Sequence, residues 1–252
     1  MKTPWYETFF DGIYNEILRH EDFEDQAVKE AQIIRRALRL RKGDRVLDAP
    51  CGMGRLSMPL AKMGMAVTGV DLTALYVRRA RRRARALHLD IRFIVSDMRA
   101  IDFDSGFDAA FNWFGSFGYF SAADNLAFTR RVFKALKPGG RFLVEGINKP
   151  WLLANFLKHH EEETAGVRIR HDGRFDKRTS RIYDTWILTK GATTERHVIS
   201  MQMYDGKGIS DLLRRAGFAK VEVYGRERLA GRLGPLTNVS RRFLAVGTKL
   251  KK

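Results

Sequence analysis

The stretch Arg45-Val46-Leu47-Asp48-Ala49-Pro50-Cys51-Gly52-Met53-Gly54 decides the fold. Val46 and Leu47 are strand formers between charged neighbours and read as a short buried strand. Gly52 and Gly54 follow and allow a backbone that side chains would block. Behind them Leu56, Leu60 and Met63 recur at helical spacing. Strand, tight turn and helix in succession is how an α/β fold builds a cofactor site at the carboxyl end of a strand.

The turn also discriminates between cofactors. A dinucleotide fingerprint reads G-x-G-x-x-G, and here Ser57 stands where the third glycine belongs. Asp48 ends the strand four residues before Gly52, so the pattern is D-x-x-x-G-x-G. A carboxylate has no use in a phosphate cradle, but it suits a cationic ligand. The pattern closely resembles the first motif of the class I S-adenosylmethionine-dependent methyltransferases. Their cofactor carries an ammonium and a sulfonium and no phosphate.

Outward from this stretch, strands and helices alternate. Strands are expected at Ala66–Val70 ending in Asp71, Ile91–Val95 ending in Ser96-Asp97, Phe107–Phe111 ending in Asn112, and Arg141–Val144. Helices are expected at Tyr76–Leu87 and Leu126–Leu136, the second closed by Lys137-Pro138-Gly139-Gly140. Such β-α alternation predicts a doubly wound, Rossmann-like, mostly parallel sheet with helices on both faces. The pattern then changes. Val167–Phe175, Arg181–Thr189 and Arg196–Tyr204 read as a three-stranded antiparallel meander. A helix at Ile209–Ala216 and strands at Lys220–Tyr224 and Phe243–Gly247 complete a seven-stranded sheet, with a basic loop from Gly225 to Arg242. The expected organisation is one domain. Residues 1–41 form an N-terminal helical lid, 42–150 the cofactor-binding core, 151–205 the inserted meander on the acceptor side, and 206–252 the closing helix and strands. The aromatic segment Trp5–Leu18 reads as one amphipathic helix, followed by a second over Ala27–Leu38.

Asp71 and Asp97 end successive strands, and Asn112 ends the next, so all lie along one sheet edge where ligands bind. An acid at the second strand end can accept both ribose hydroxyls. The resemblance implies roles at these positions. The turn with Asp48, Ala49, Cys51, Gly52 and Gly54 would hold the methionine part. Asp71 and Leu72 would hold the ribose, Asp97 and Met98 the adenine, and Asn112 and Trp113 would flank the methyl group. Phe9-Phe10-Asp11-Gly12-Ile13-Tyr14 loosely resembles the lid of amino-sugar and glycine N-methyltransferases, which implies lid contacts from Tyr14 and Arg19. Those enzymes also insert strands after the fifth strand. Base-amino methyltransferases carry Asn-Pro-Pro-aromatic where this chain has Asn112-Trp113-Phe114, without proline. The segment Trp113–Phe120 reads either as a glycine-softened core loop or as an acceptor pocket in which Trp113, Phe117 and Tyr119 participate.

The chain of 252 residues carries 46 Lys+Arg against 29 Asp+Glu, a net charge of +17. That excess permits contact with nucleic acid but describes non-specific attraction. Of the arginine run Arg78, Arg79, Arg81, Arg82, Arg83 and Arg85, the expected role is a solvated helix face, with Val77, Ala80, Ala84 and Leu87 opposite. His159-His160 and the three glutamates after it are expected on an exposed charged helix, not at a metal site. One cysteine excludes an internal disulfide and, with no signal-like or membrane-spanning run, points to a cytoplasmic protein. The inserted meander is basic, with Arg168, Arg170, Arg174, Lys177, Arg178 and Arg181, so the reading is a methyltransferase acting on a nitrogen or oxygen of a small acceptor, with an acidic molecule the favoured version. An RNA or protein methyltransferase, a non-catalytic cofactor-binding protein and a NAD-binding Rossmann protein are the alternatives. His197, Tyr119 and Tyr14 are candidate bases, and no residue is assigned as catalytic.

Overall fold

The computed structural model describes residues 3–20, 24–226 and 233–251; of these, the side chains of 19, 20, 24 and 25 are not described. The chain opens with α1 (Trp5–Thr8), α2 (Tyr14–His20) and α3 (Glu24–Leu38). The core follows as β1 (Arg45–Asp48), α4 (Ser57–Lys62), β2 (Ala66–Asp71), α5 (Ala74–Ala86), β3 (Arg92–Val95), β4 (Phe107–Asn112), α6 (Ala122–Ala135) and β5 (Leu136–Ile147). A single 3-10 turn, Met98–Ala100, follows β3. Next come α7 (Lys149–Ala154), then β6 (His159–Thr164), β7 (Val167–Asp176), β8 (Arg181–Lys190) and β9 (Thr193–Gln202). The chain closes with α8 (Gly206–Ala216), β10 (Lys220–Arg226), β11 (Gly234–Pro235) and β12 (Arg242–Thr248).

The main sheet has the order β11-β10-β12-β5-β4-β1-β2-β3. β3, β2, β1, β4 and β5 run parallel, and β12, β10 and β11 pair antiparallel to their neighbours. The expected seven strands are present, and the two-residue β11 within the basic loop adds an eighth. Neighbours on β1 face opposite layers, as the period of a strand requires. Val46 joins the cluster with Ile34 and Leu38 of α3, while Leu47 joins Phe128 of α6 and Leu213 of α8. β1 lies between β2 and β4, so the chain reverses direction across the sheet there. The carboxyl ends of β1 and β4 therefore open a crevice at the switch point.

Two expectations for the cap are corrected. First, Trp5–Leu18 is not one helix. It breaks at Phe9–Ile13, where Gly12 leaves room for the Glu195 carboxylate. Second, His159–Thr164 is a strand and not an exposed helix, so the meander has four strands, in the order β6-β7-β8-β9. β6 joins β7 through a two-residue turn, Ala165-Gly166, with φ of 53° and 69°. Both positive values match the twist of a hairpin. Glu161 stands opposite Arg170 and Glu163 opposite Arg168, so cross-strand charge pairing overrides local preference. Five arginines of α5 are exposed as expected, and Arg79 is the exception.

Candidate active site

A cavity of about 490 Å³ sits over the carboxyl ends of β1, β2 and β4. Asp48, Cys51, Gly52, Asp71, Leu72, Asp97, Met98, Trp113 and Tyr14 all line it. Ala49, Gly54 and Asn112 are not in its lining, and the Arg19 side chain falls outside the described residues.

The floor is built by the turn after β1. Gly52 has φ +54°, and an added Cβ would meet nothing within 4 Å. Its amide donates to Asp71 Oδ2 at 2.8 Å, and Thr73 N donates to Asp71 Oδ1 at 2.8 Å. Asp71 thereby pins the turn to the end of β2, and each of its oxygens keeps a lone pair for another donor. Burial pushes its carboxyl above the usual range, against the lowering effect of those two bonds. Gly54 serves a different end. At φ +78° its Cβ would lie 2.9 Å from Met58 Cε and 3.0 Å from Phe93 Cζ, so it is needed for packing beneath the turn. Asp48 is buried, and Ser57 Oγ donates to its Oδ2 at 2.6 Å. Burial pushes the Asp48 carboxyl up to about 8.

Asp97 caps the 3-10 turn by accepting from Arg99 N at 2.7 Å, and the Arg99 guanidinium holds its other oxygen at 2.6 Å. That guanidinium lies over the ring of Phe120, 4.4 Å from its centroid. Asn112 is fully buried behind the wall. Its amide donates to the Ala49 carbonyl at 2.9 Å and ties the end of β4 to β1, so it does not flank the cavity as expected. Phe117 is likewise a core residue, packed with Phe128 and Tyr204, while Trp113 and Tyr119 do line the cavity.

The roof comes from Trp5, Phe9, Phe10 and Tyr14 of the N-terminal segment and from Trp186, Ile199 and Met201 of the meander. None of the basic insertion residues Arg168, Arg170, Arg174, Lys177, Arg178 and Arg181 lines the cavity. Arg168, Arg170 and Arg174 alternate outward on β7, and Arg181 donates to the Tyr119 and Phe120 carbonyls at 2.7 and 2.8 Å. Of the candidate bases, His197 is outside the lining and sits 3.2 Å from Glu195 Oε2. Tyr119 is inside, and burial pushes its hydroxyl up to about 12, so the phenol keeps its proton at neutral pH.

Two buried ion pairs beside Trp113 went unread in the sequence. Glu145 on β5 accepts from Gly115 N at 3.0 Å and pairs with Arg242, which lines the cavity. Glu30 on α3 pairs with Arg226 at 3.0 Å and with Arg55 at 2.7 Å, and Arg226 lies over the Trp113 ring. The signal was present: Glu145 interrupts the apolar run Phe142–Ile147, and Glu30 falls on the apolar stripe of α3. A charge in such a place needs a buried partner. Among the described residues there is no group of His, Cys, Asp and Glu suited to hold a metal, and no helix is long and apolar enough to cross a membrane.

Comparison with known proteins bears on the fold. A family model described as a methyltransferase domain matches residues 46–140. The S-adenosyl-L-methionine-dependent Diels-Alderase iccD of Talaromyces variabilis is 40% identical over 121 residues, which is 45% of this chain and 40% of that protein. The chain thus spans about two fifths of that relative's length. A crystal structure of an S-adenosylmethionine-dependent methyltransferase from Clostridium acetobutylicum superposes with a TM-score of 0.73 at 16% identity, covering 97% of this chain and 99% of the other. An amino pentose methyltransferase from Micromonospora echinaspora, solved with S-adenosylmethionine bound, superposes with a TM-score of 0.65 at 23% identity, covering 95% and 97%. Residues 46–140 match a methyltransferase-domain family, and the whole chain shares its fold with solved S-adenosylmethionine-dependent methyltransferases.

Proposed function

We propose that the protein is an S-adenosylmethionine-dependent methyltransferase that transfers a methyl group by in-line displacement to a nitrogen or oxygen of a small molecule. The observation that carries this reading is the cavity in which strand-end acids form the floor and aromatic rings form the roof. Its floor fits the cofactor. The space at Gly52 admits close approach of a ligand to the backbone, and Asp48 is a buried acid that accepts from Ser57. Asp48 would face the ammonium, Asp71 and Leu72 the ribose, and Met98 the adenine. Asp97 would serve the adenine only with what Arg99 leaves free. When bound, the cofactor supplies an electrophilic methyl on a sulfonium.

The chain's own residues align the acceptor and exclude water. Trp113 from below and Tyr14, Trp186 and Met201 from above bound the space for a compact molecule. An amine arriving neutral needs no base, whereas a hydroxyl benefits from one. Tyr119 keeps its proton and His197 lies elsewhere, which leaves Tyr14 of the three candidates in the lining, so the amine version, which needs no base, is favoured. The fold shared with the amino pentose methyltransferase supports the same choice. The acidic preference expected from the basic insertion loses its basis, because those cations sit outside the cavity lining. A polymer acceptor would need an open groove in place of this roof.

Calorimetry tests the cofactor: S-adenosylmethionine and S-adenosylhomocysteine should bind, with NAD far weaker. A panel of amino sugars, other amines and phenols, run beside RNA and ribosomal protein, tests the acceptor. Methyl incorporation into a polymer alone would overturn the small-molecule reading.

A further inference from the structure

We propose that Tyr76 and Arg79 latch the N-terminal segment over the cofactor half of the cavity, so that ligand enters and leaves past them on the Asp71 side. The proposal rests on the methyltransferase reading for the identity of that ligand.

The N-terminal segment and the meander form one body. Phe9, Ile13 and Ile17 share a buried cluster with Val167, Ile169, Leu188 and Ile199. Lys190 Nζ meets Glu16 Oε2 at 2.6 Å, and Ile13 N donates to Glu195 Oε2 at 3.0 Å. This body is held to the core differently on its two sides. On the side of β5 the ties include backbone pairs, beside the bonds from Arg181 to the Tyr119 and Phe120 carbonyls. Gln202 N donates to Gly118 O at 2.7 Å and Lys149 N to Tyr204 O at 3.0 Å. The chain itself also crosses between core and cap there, at the bridge between Asn148 and Tyr204. That side is a hinge.

On the Asp71 side the cap is held by side chains of α5. Tyr76 Oη donates to the Phe10 carbonyl at 2.7 Å, and Arg79 Nη1 donates to Asn15 Oδ1 at 2.7 Å. Both acceptors belong to the roof segment, and both donors stand on the helix that follows Asp71 and Thr73. Arg79 is the one member of the arginine run that turns from solvent. Asn15 is buried, so its side-chain oxygen depends on a protein donor. Two such bonds are weak enough to break thermally yet worth an order of magnitude in the closed population.

The test uses the full chain with Arg79→Ala, Tyr76→Phe and the double variant, and S-adenosylhomocysteine as the probe. Stopped-flow dissociation should be roughly tenfold faster in the double variant, with Arg79→Lys restoring part of the loss by keeping a donor. Arg82→Ala, an exposed neighbour on the same helix, should match wild type. Amide hydrogen exchange without ligand should be faster across residues 9–17 in the double variant. A folded double variant with wild-type dissociation and wild-type exchange overturns the latch. If the wild-type protein itself fails to bind the probe, the methyltransferase reading falls. The exchange measurement then decides the latch alone.

Discussion

The floor and the roof of the cavity are built by opposite means. The floor is a set of carboxylates, Asp48 and Asp71 buried and Asp97 half-buried, and backbone amides within a few residues of three strand ends. Asp71 binds two amides, Asp48 a hydroxyl, and Asp97 caps a turn. The roof is a layer of rings from two segments far apart in the chain: Trp5, Phe9, Phe10 and Tyr14 meet Trp186 with Ile199 and Met201. On the proposed function, the floor would recognise its ligand through charge and direction, which few changes leave intact. The roof would recognise through apolar surface, which many substitutions reshape without loss of fold. The difference teaches where specificity could drift: an acceptor side could change while the cofactor side stays fixed.

The largest effect expected on the floor is from Gly52→Val. The residue sits at φ +54°, where a β-branched side chain is strained, and its side chain would fill the space open beside the turn. Because no protein atom stands in that space, the fold should survive. Calorimetry should show cofactor affinity reduced at least about a hundredfold, the sum of strain and lost approach. Wild-type affinity in a folded variant would break the comparison at once, since the floor would then not hold the ligand. Asp71→Ala comes next. It removes the acceptor of Gly52 N and Thr73 N together with any bonds to ribose hydroxyls. Charge-assisted bonds are worth roughly 1.5–3 kcal/mol each, so affinity should fall by about tenfold or more. Unchanged affinity would show that the ribose is held elsewhere.

Asp48 supplies a pH test of the same floor. Burial pushes its carboxyl up to about 8, so the ligand-free protein carries it protonated below that pH. A cationic ligand prefers the ionised form, so binding releases a proton and affinity rises with pH until the carboxyl ionises unaided. The rise should be at least roughly tenfold between about pH 6.5 and 8 and should level off about one unit above. Asp48→Asn should bind more weakly and lose the slope. A wild-type profile that stays flat across this range would remove the cation-facing role from Asp48.

How much of this was legible in the sequence follows the same division. The floor is local. Asp48, Gly52, Asp71 and Asp97 are each set by a strand end and the next few residues, so the alternation of strands and helices was enough to gather them. What failed there depended on side-chain direction. Asn112 ends its strand as expected, yet its amide turns back to the Ala49 carbonyl. The roof is non-local. His159–Thr164 looks helical until β7 is placed beside it, and the break at Gly12 makes sense only when Glu195 arrives from β9. Arg79 looked like its five neighbours because nothing in the helix reveals that Asn15 stands above it. The Glu145–Arg242 pair joins residues 97 positions apart, and only a charge inside an apolar strand announced it.

The smallest effect on cofactor affinity should come from a roof ring, and that is the sharpest test of the division. Trp186 on β8 meets Phe9 edge-on at 5.4 Å and Tyr14 at 5.8 Å, and its Nε1 donates to Asp184 Oδ2 at 2.7 Å. Asp184 keeps His171 as a partner at 3.0 Å, so Trp186→Ala leaves that carboxylate paired. The ring is half-buried and lines the cavity, so truncation enlarges the roof side of the cavity without touching a strand end. Affinity for S-adenosylhomocysteine should change by less than about threefold, under 1 kcal/mol. Methyl transfer to whichever amine or hydroxyl the panel identifies should fall more steeply, because a looser wall positions the acceptor less well and admits water. A loss of cofactor affinity as large as that of Asp71→Ala would erase the boundary between floor and roof. A turnover unchanged beside unchanged affinity would place the acceptor away from the meander, against Trp113 and Tyr119 instead.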